Sequence, residues 1–174
     1  MARFVPMKHT LVMTILGADR TGLVRSIAAI IQEHKASWQE SRMARLAGQF
    51  AGILRVECPE ESLETLIEAL SSLNNQGICI NVIREEAIVL ERPKILSIDV
   101  VGNDRPGIVH QMTLAIAESG GNVEELVTGL ESAAMSGHLI FRASGKVSFS
   151  SLSDEAQLRR AIESLSDDLS VEIH

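Results

Sequence analysis

One stretch of this chain is written twice. Leu11-Val-Met-Thr-Ile-Leu-Gly-Ala-Asp-Arg-Thr-Gly-Leu-Val24 returns 85 residues later as Leu96-Ser-Ile-Asp-Val-Val-Gly-Asn-Asp-Arg-Pro-Gly-Ile-Val109. Gly17, Asp19, Arg20, Gly22 and Val24 recur as Gly102, Asp104, Arg105, Gly107 and Val109. The same spacing pairs Glu33 with Glu118, Glu40 with Glu125, Gly52 with Gly137 and Leu54 with Leu139. In a chain of 174 residues such a period leaves room for two copies of one supersecondary unit and little else.

Both copies pass through the same order of hydrophobic periods. Leu11, Met13 and Ile15 alternate with their neighbours, as do Leu96, Ile98 and Val100, so each copy opens with a strand that buries one face. Helical spacing follows in Leu23, Val24, Ile27, Ile30 and Ile31, echoed by Ile108, Val109, Met112, Ala115 and Ile116. Alternating stretches near 37–46 and 50–57 match others near 122–130 and 137–143, with Phe50, Gly52, Leu54 and Val56 set against Met135, Gly137, Leu139 and Phe141. A second helix reads from Leu63, Leu66, Ile67 and Leu70, then from Leu158, Ala161, Ile162 and Leu165, and short strands close the halves at 78–83 and 169–173. The order is βαββαβ twice. The predicted class is α+β, two tandem ferredoxin-like units whose antiparallel sheets carry helices on one face. The boundaries are residues 8–84 for the first unit, 85–94 for a linker and 95–174 for the second, with the Ser-rich run Ser144–Ser153 expected to form a loop or hairpin extension.

Composition narrows the function. A net charge of −7 disfavours direct nucleic-acid binding, which needs a positive face, and four Phe, one Trp and no Tyr are too few rings for a base-stacking platform. The N-terminus lacks the apolar core of a signal peptide and no window has the run of apolar residues of a membrane span, so the expected location is the cytoplasm. Cys58 and Cys79 are too far apart for a CxxC motif and are expected to be reduced core thiols. No His/Cys/carboxylate cluster has metal spacing; His9, His34, His110, His138 and His174 read as surface or interface groups, with no metal or cofactor expected. Acidic flanks Glu60-Glu61 and Asp167-Asp168 read as solvated helix ends.

The conspicuous constellation is the repeated strand-to-helix turn, Gly17-Ala-Asp-Arg-Thr-Gly22 and Gly102-Asn-Asp-Arg-Pro-Gly107. These residues suit a plain turn: glycine permits the sharp exit, Asp or Thr supports the helix start, and Pro106 suits a first helical turn. They also suit a small dipolar ligand, because a helix N-terminus offers unpaired N–H groups to a carboxylate while Asn103 and Asp104 can receive an ammonium. The Lys and Ser/Thr that would follow in a P-loop are absent, since Leu23-Val24 and Ile108-Val109 stand there.

Gly102-Asn-Asp-Arg-Pro-Gly-Ile-Val109, followed by Gly120-Gly-Asn-Val123, resembles the amino-acid-sensing ACT domain, and the resemblance covers nearly the whole chain as two copies. It implies pairing of sheets, a homo-oligomer of two or more chains, and ligands held beside the first strand-to-helix turns. The ligand residues it implies are Asn103, Asp104, Arg105, Gly107, Ile108, Val109 and Asn122. The secondary set is Asp19, Arg20, Gly22, Leu23 and Val24; Ala18 and Ser37 replace Asn103 and Asn122, which makes the second loop the expected main contact. A tandem pair without an attached enzyme is similar to the repressor family of the glycine cleavage genes. That likeness implies a non-enzymatic regulator that binds a LysR-type activator protein, with glycine as effector. Two alternatives stay open: an interaction module that binds no ligand, and a small enzyme of the acylphosphatase kind, with Arg20 or Arg105 holding a phosphoryl group by fold analogy.

Overall fold

The computed structural model describes residues 7–85, 93–132, 138–149 and 155–174. The first half runs β1 (Lys8–Ala18), α1 (Leu23–Glu33), β2 (Ser37–Leu46), β3 (Gln49–Pro59), α2 (Leu63–Ser72) and β4 (Ile78–Arg84). The second runs β5 (Lys94–Asn103), α3 (Ile108–Glu118), β6 (Gly121–Ser132), β7 (Leu139–Phe149), α4 (Glu155–Glu163) and β8 (Ser170–Ile173). The chain divides into two units, residues 1–89 and 90–174, each with one antiparallel sheet in the order β2-β3-β1-β4 or β6-β7-β5-β8. This is the doubled βαββαβ order that the hydrophobic periods predict. Of the expected linker, residues 86–92 lie outside the described residues; Glu85 donates its N–H to Thr10 in the first sheet and Lys94 already belongs to β5.

Each sheet buries one face under its own two helices. In the first unit Leu11, Met13 and Ile15 of β1 meet Leu23, Ile27 and Ile31 of α1 and Leu63, Leu66 and Leu70 of α2. In the second, Leu96, Ile98 and Val100 meet Ile108, Met112 and Ile116 of α3 and Leu158 and Ile162 of α4. Every such side chain taken fully from water contributes about 1.5–3 kcal/mol before the entropy of ordering is set against it. Of the intervening β1 residues Val12 is half-buried and Thr14 and Leu16 are exposed, so the period of two read from the sequence is the period of burial.

The repeat changes register inside the second unit. Gly17 pairs with Phe50 in the first sheet, but Gly102 pairs with Phe141 in the second, so the offset is 85 before the β6–β7 hairpin and 91 after it. The two-residue turn Ala47-Gly48 is replaced by a longer connection whose residues 133–137 lie outside the described residues. The expected pairs Gly52/Gly137 and Leu54/Leu139 are therefore incorrect: Gly52 corresponds to Ala143 and Leu54 to Gly145. Leu139, which the 85-residue spacing sets against the buried Leu54, is 48% exposed at the strand's start. The Ser-rich run from Ser144 is no loop as far as Phe149; it continues β7, with Val147 and Phe149 buried, and residues 150–153 lie outside the described residues. Ser144 is exposed, whereas Ser148 is buried and donates its hydroxyl to Glu124, so serine content by itself did not mark a loop here.

Cys58 is buried in the first core, but Cys79 is exposed on the uncovered face of β4, since its neighbours Ile78 and Ile80 take the core side. One of the two expected core thiols is therefore a surface thiol. Burial, with Glu60 and Glu57 nearby, pushes the Cys58 thiol pKa up and keeps it protonated.

Candidate functional site

The two repeated turns have one backbone geometry. Gly22 and Gly107 have φ of 87° and 84° with ψ near zero, and the N–H of Leu23 and of Ile108 donates to Arg20 and Arg105 at 3.3 Å. That is the third position of a type II turn, which needs φ > 0 and hence glycine. Pro106 is the second position of this turn and lies ahead of α3, so the expectation that it sits in the first helical turn is corrected, and neither helix start has a side-chain cap. Ser26 and Gln111 donate back to Gly22 and Gly107, which leaves the N–H groups of Val24 and Arg25, and of Val109 and His110, without an acceptor among the described residues. Free N–H groups at the positive end of a helix dipole suit a carboxylate.

The second loop is held from three sides. Asn103 N–H donates to Asp168 Oδ2 at 2.8 Å, and Asp104 N–H donates to the Leu139 carbonyl at 2.9 Å. The Arg105 guanidinium is engaged by protein groups: its Nη2 donates to Gln111 Oε1 at 2.9 Å and to the Leu165 carbonyl at 3.2 Å, and its Nη1 lies 3.9 Å from Asp168. Hydrogen bonds from the Ser166 hydroxyl and the Asn103 N–H hold the Asp168 carboxyl below its ordinary pKa. Asp168 was expected to be a solvated helix end; it is a partner of the loop. The signal for it is topological, because β8 lies beside β5 and so delivers the residues before β8 to the end of β5.

An open groove of about 410 Å³ runs along this loop. Asp104, Arg105, Gly107, Ile108 and Val109 form one wall, and Thr128, Gly129 and Leu130 of β6 form the other, over the buried ring of Phe141. The β6 wall was not anticipated. Among the described residues no donor or cation reaches the Asp104 carboxylate. In the first unit the corresponding Asp19 carboxylate is 2.7 Å from Arg45 Nε, and Arg45 corresponds to Leu130. Met43 and Ala44 stand where Thr128 and Gly129 are, with Met43 packed against the first core.

Asn103 and Asn122 do not join the groove. Asn103 faces a separate recess with Asp104, His138 and Leu139. Asn122 opens β6 opposite Ser148, which pairs with Ile95 at the far end of β5, so along the sheet it is about 26 Å from Asn103. Its amide donates to Glu124 Oε1 at 3.0 Å, and Ser148 donates to the same carboxylate, holding the Glu124 pKa below its usual range. His34 caps α1 through Nδ1 and the Ile30 carbonyl at 2.7 Å. Among the described residues no group of three His, Cys, Asp or Glu side chains could hold a metal, and no helix is long and apolar enough to cross a membrane.

Residues 9–82, which make up most of the first unit, match the family model of the ACT domain, and the second unit has the same strand order as the first. Over 126 residues the chain is 27% identical to the glycine cleavage system transcriptional repressor of Escherichia coli K12 and, to the same extent, to that of Shigella flexneri. These alignments cover 70% of this chain and 65% of the relatives, so the chain spans about two thirds of the length of the proteins it matches. Among solved structures, a protein of unknown function from Galdieria sulphuraria superposes with a TM-score of 0.80 and 26% identity, covering 97% of this chain and 98% of that one. A candidate glycine cleavage system transcriptional repressor superposes with a TM-score of 0.68 at 16% identity over the same shares, a likeness of fold.

Proposed function

We propose that this chain is a non-enzymatic regulator that senses a small amino acid at its second loop and controls transcription indirectly. In this reading it binds a LysR-type activator of the glycine cleavage genes in the cytoplasm, and glycine alters that interaction. The observation that carries it is the asymmetry at one carboxylate: Asp19 is paired with Arg45, whereas Asp104 has no described partner and borders a groove beside free helix N–H groups. A carboxylate and a set of amide donors are the two halves of a receptor for a zwitterion. The likeness to the glycine cleavage system transcriptional repressors supports a regulatory role in transcription. The Arg105 guanidinium is already engaged by Gln111 and Leu165, which argues against a role in holding a phosphoryl group.

Glycine has few atoms, and even the best tiny ligands gain about 1.5 kcal/mol per heavy atom, so its Kd is expected to be no tighter than about 3 × 10⁻⁶ M, with about 10⁻⁴ M typical of such weak sensing. Titration calorimetry of the full chain against the common amino acids tests the reading. Glycine or a close relative should give saturable heat, and Asp104→Asn should weaken it at least about tenfold, the loss of one charge-assisted contact. Absence of heat with every amino acid at millimolar concentration would leave the ligand-free interaction module. Equal affinity in Asp104→Asn would move the site elsewhere.

A further inference from the structure

We propose that Asp168 is a positioning residue for the ligand loop, and that Arg105 works with it as a strut instead of touching the ligand. The proposal rests on the second loop being the sensing site.

The argument begins with what Asp168 joins. One carboxylate oxygen accepts the Asn103 N–H at 2.8 Å; the other accepts the Ser166 hydroxyl and faces Arg105. Leu169 N–H donates to the Ser166 carbonyl at 3.1 Å, closing a turn that fixes Asp168 itself. Arg105 then ties the next part of the loop to α3 through Gln111 and to the turn after α4 through the Leu165 carbonyl. Asn103 and Asp104 are adjacent, so fixing the backbone at Asn103 from one side and at Asp104 through Leu139 from the other sets the direction of the Asp104 carboxylate. A tiny ligand makes few contacts, so its affinity depends on those contacts being in place beforehand.

The first unit shows the loop without this brace. The pairing register puts Gly77 where Asp168 stands, and among the described residues the Arg20 guanidinium makes no hydrogen bond or ion pair. The glycine pair and the type II turn are present in both units, so the brace is not required for the turn to form. It distinguishes one copy from the other at the copy whose Asp104 carboxylate has no partner among the described residues.

Amide hydrogen exchange followed residue by residue, together with glycine titration, tests this on the full chain. In Asp168→Ala the Asn103 N–H should exchange about tenfold faster, the effect of one lost hydrogen bond, while Asp104 N–H, held by Leu139, keeps its protection. Glycine should bind more weakly in the same variant by a similar factor. Asp168→Asn keeps an acceptor for Asn103 and can donate to Ser166, so it should restore both protection and affinity, which a loss of folding would not allow. Unchanged exchange at Asn103 in Asp168→Ala overturns the proposal, as does faster exchange with undiminished glycine affinity. If the wild-type chain binds no amino acid, the sensing role fails and a positioning role toward a ligand fails with it, whereas an intact wild-type affinity with an indifferent Asp168→Ala removes the positioning role alone.

Discussion

Arg45 Nε lies 2.7 Å from Asp19 Oδ2, and the residue in Arg45's place in the second unit is Leu130. A single exchange on an edge strand thus separates a neutralised carboxylate from one that has no partner among the described residues. Arg45→Leu should release Asp19, and with Ala18→Asn should give the first loop the polar groups of the second. Calorimetric stoichiometry for glycine is expected to rise from one site per chain to two. A stoichiometry that stays at one would show that the groove wall, where Met43 replaces Thr128, also matters.

Gly145 and Gly129 lie on neighbouring strands and predict opposite responses to a methyl group. A Cβ on Gly145 would stand 2.3 Å from the Glu125 carbonyl, a backbone atom that cannot step aside, whereas a Cβ on Gly129 meets nothing within 4 Å. Gly145→Ala should cost about 1–3 kcal/mol, as overpacking does, and Gly129→Ala should stay within about 0.5 kcal/mol. Urea unfolding of the two variants checks this. Equal midpoints would mean that β6 yields at the bulge between Val123 and Glu125.

Asp168 and Glu124 both have pKa values lowered in the folded chain, chiefly by hydroxyl hydrogen bonds from Ser166 and Ser148. Each is less protonated folded than unfolded in mild acid, so the stability it adds is fully present above the ordinary carboxylate pKa and is lost as pH falls through the lowered one. Ser166→Ala and Ser148→Ala should each raise the pKa of its own partner and leave the other unchanged. Carboxyl-carbon NMR titration reads both. Midpoints that do not move would remove the hydroxyls as the cause.

Much of this was legible in the sequence because it is local. Alternation in Leu11–Ile15 and Leu96–Val100 reports which side of a strand is buried, and the Gly22/Gly107 pair reports a φ that other residues avoid. The change of register was not legible, because matching letters at 85 residues continued past the point where the hairpin had lengthened. Cys79 was misplaced for a related reason: its neighbours are apolar, and only the pairing of β4 with β1 shows which of them face the helices.

By itself, then, the amino-acid order determined that two copies of one βαββαβ unit would form, each with a glycine-bounded turn at a helix start. It could do so because hydrophobic period and backbone preference act over a few residues. Tertiary structure alone decided that Asp168 reaches Asn103 across 65 positions, that Arg45 neutralises Asp19, and that Asn122 stands at the opposite end of its sheet. Those contacts depend on strand order and register, which bring distant residues together and leave no trace in the spacing of either partner.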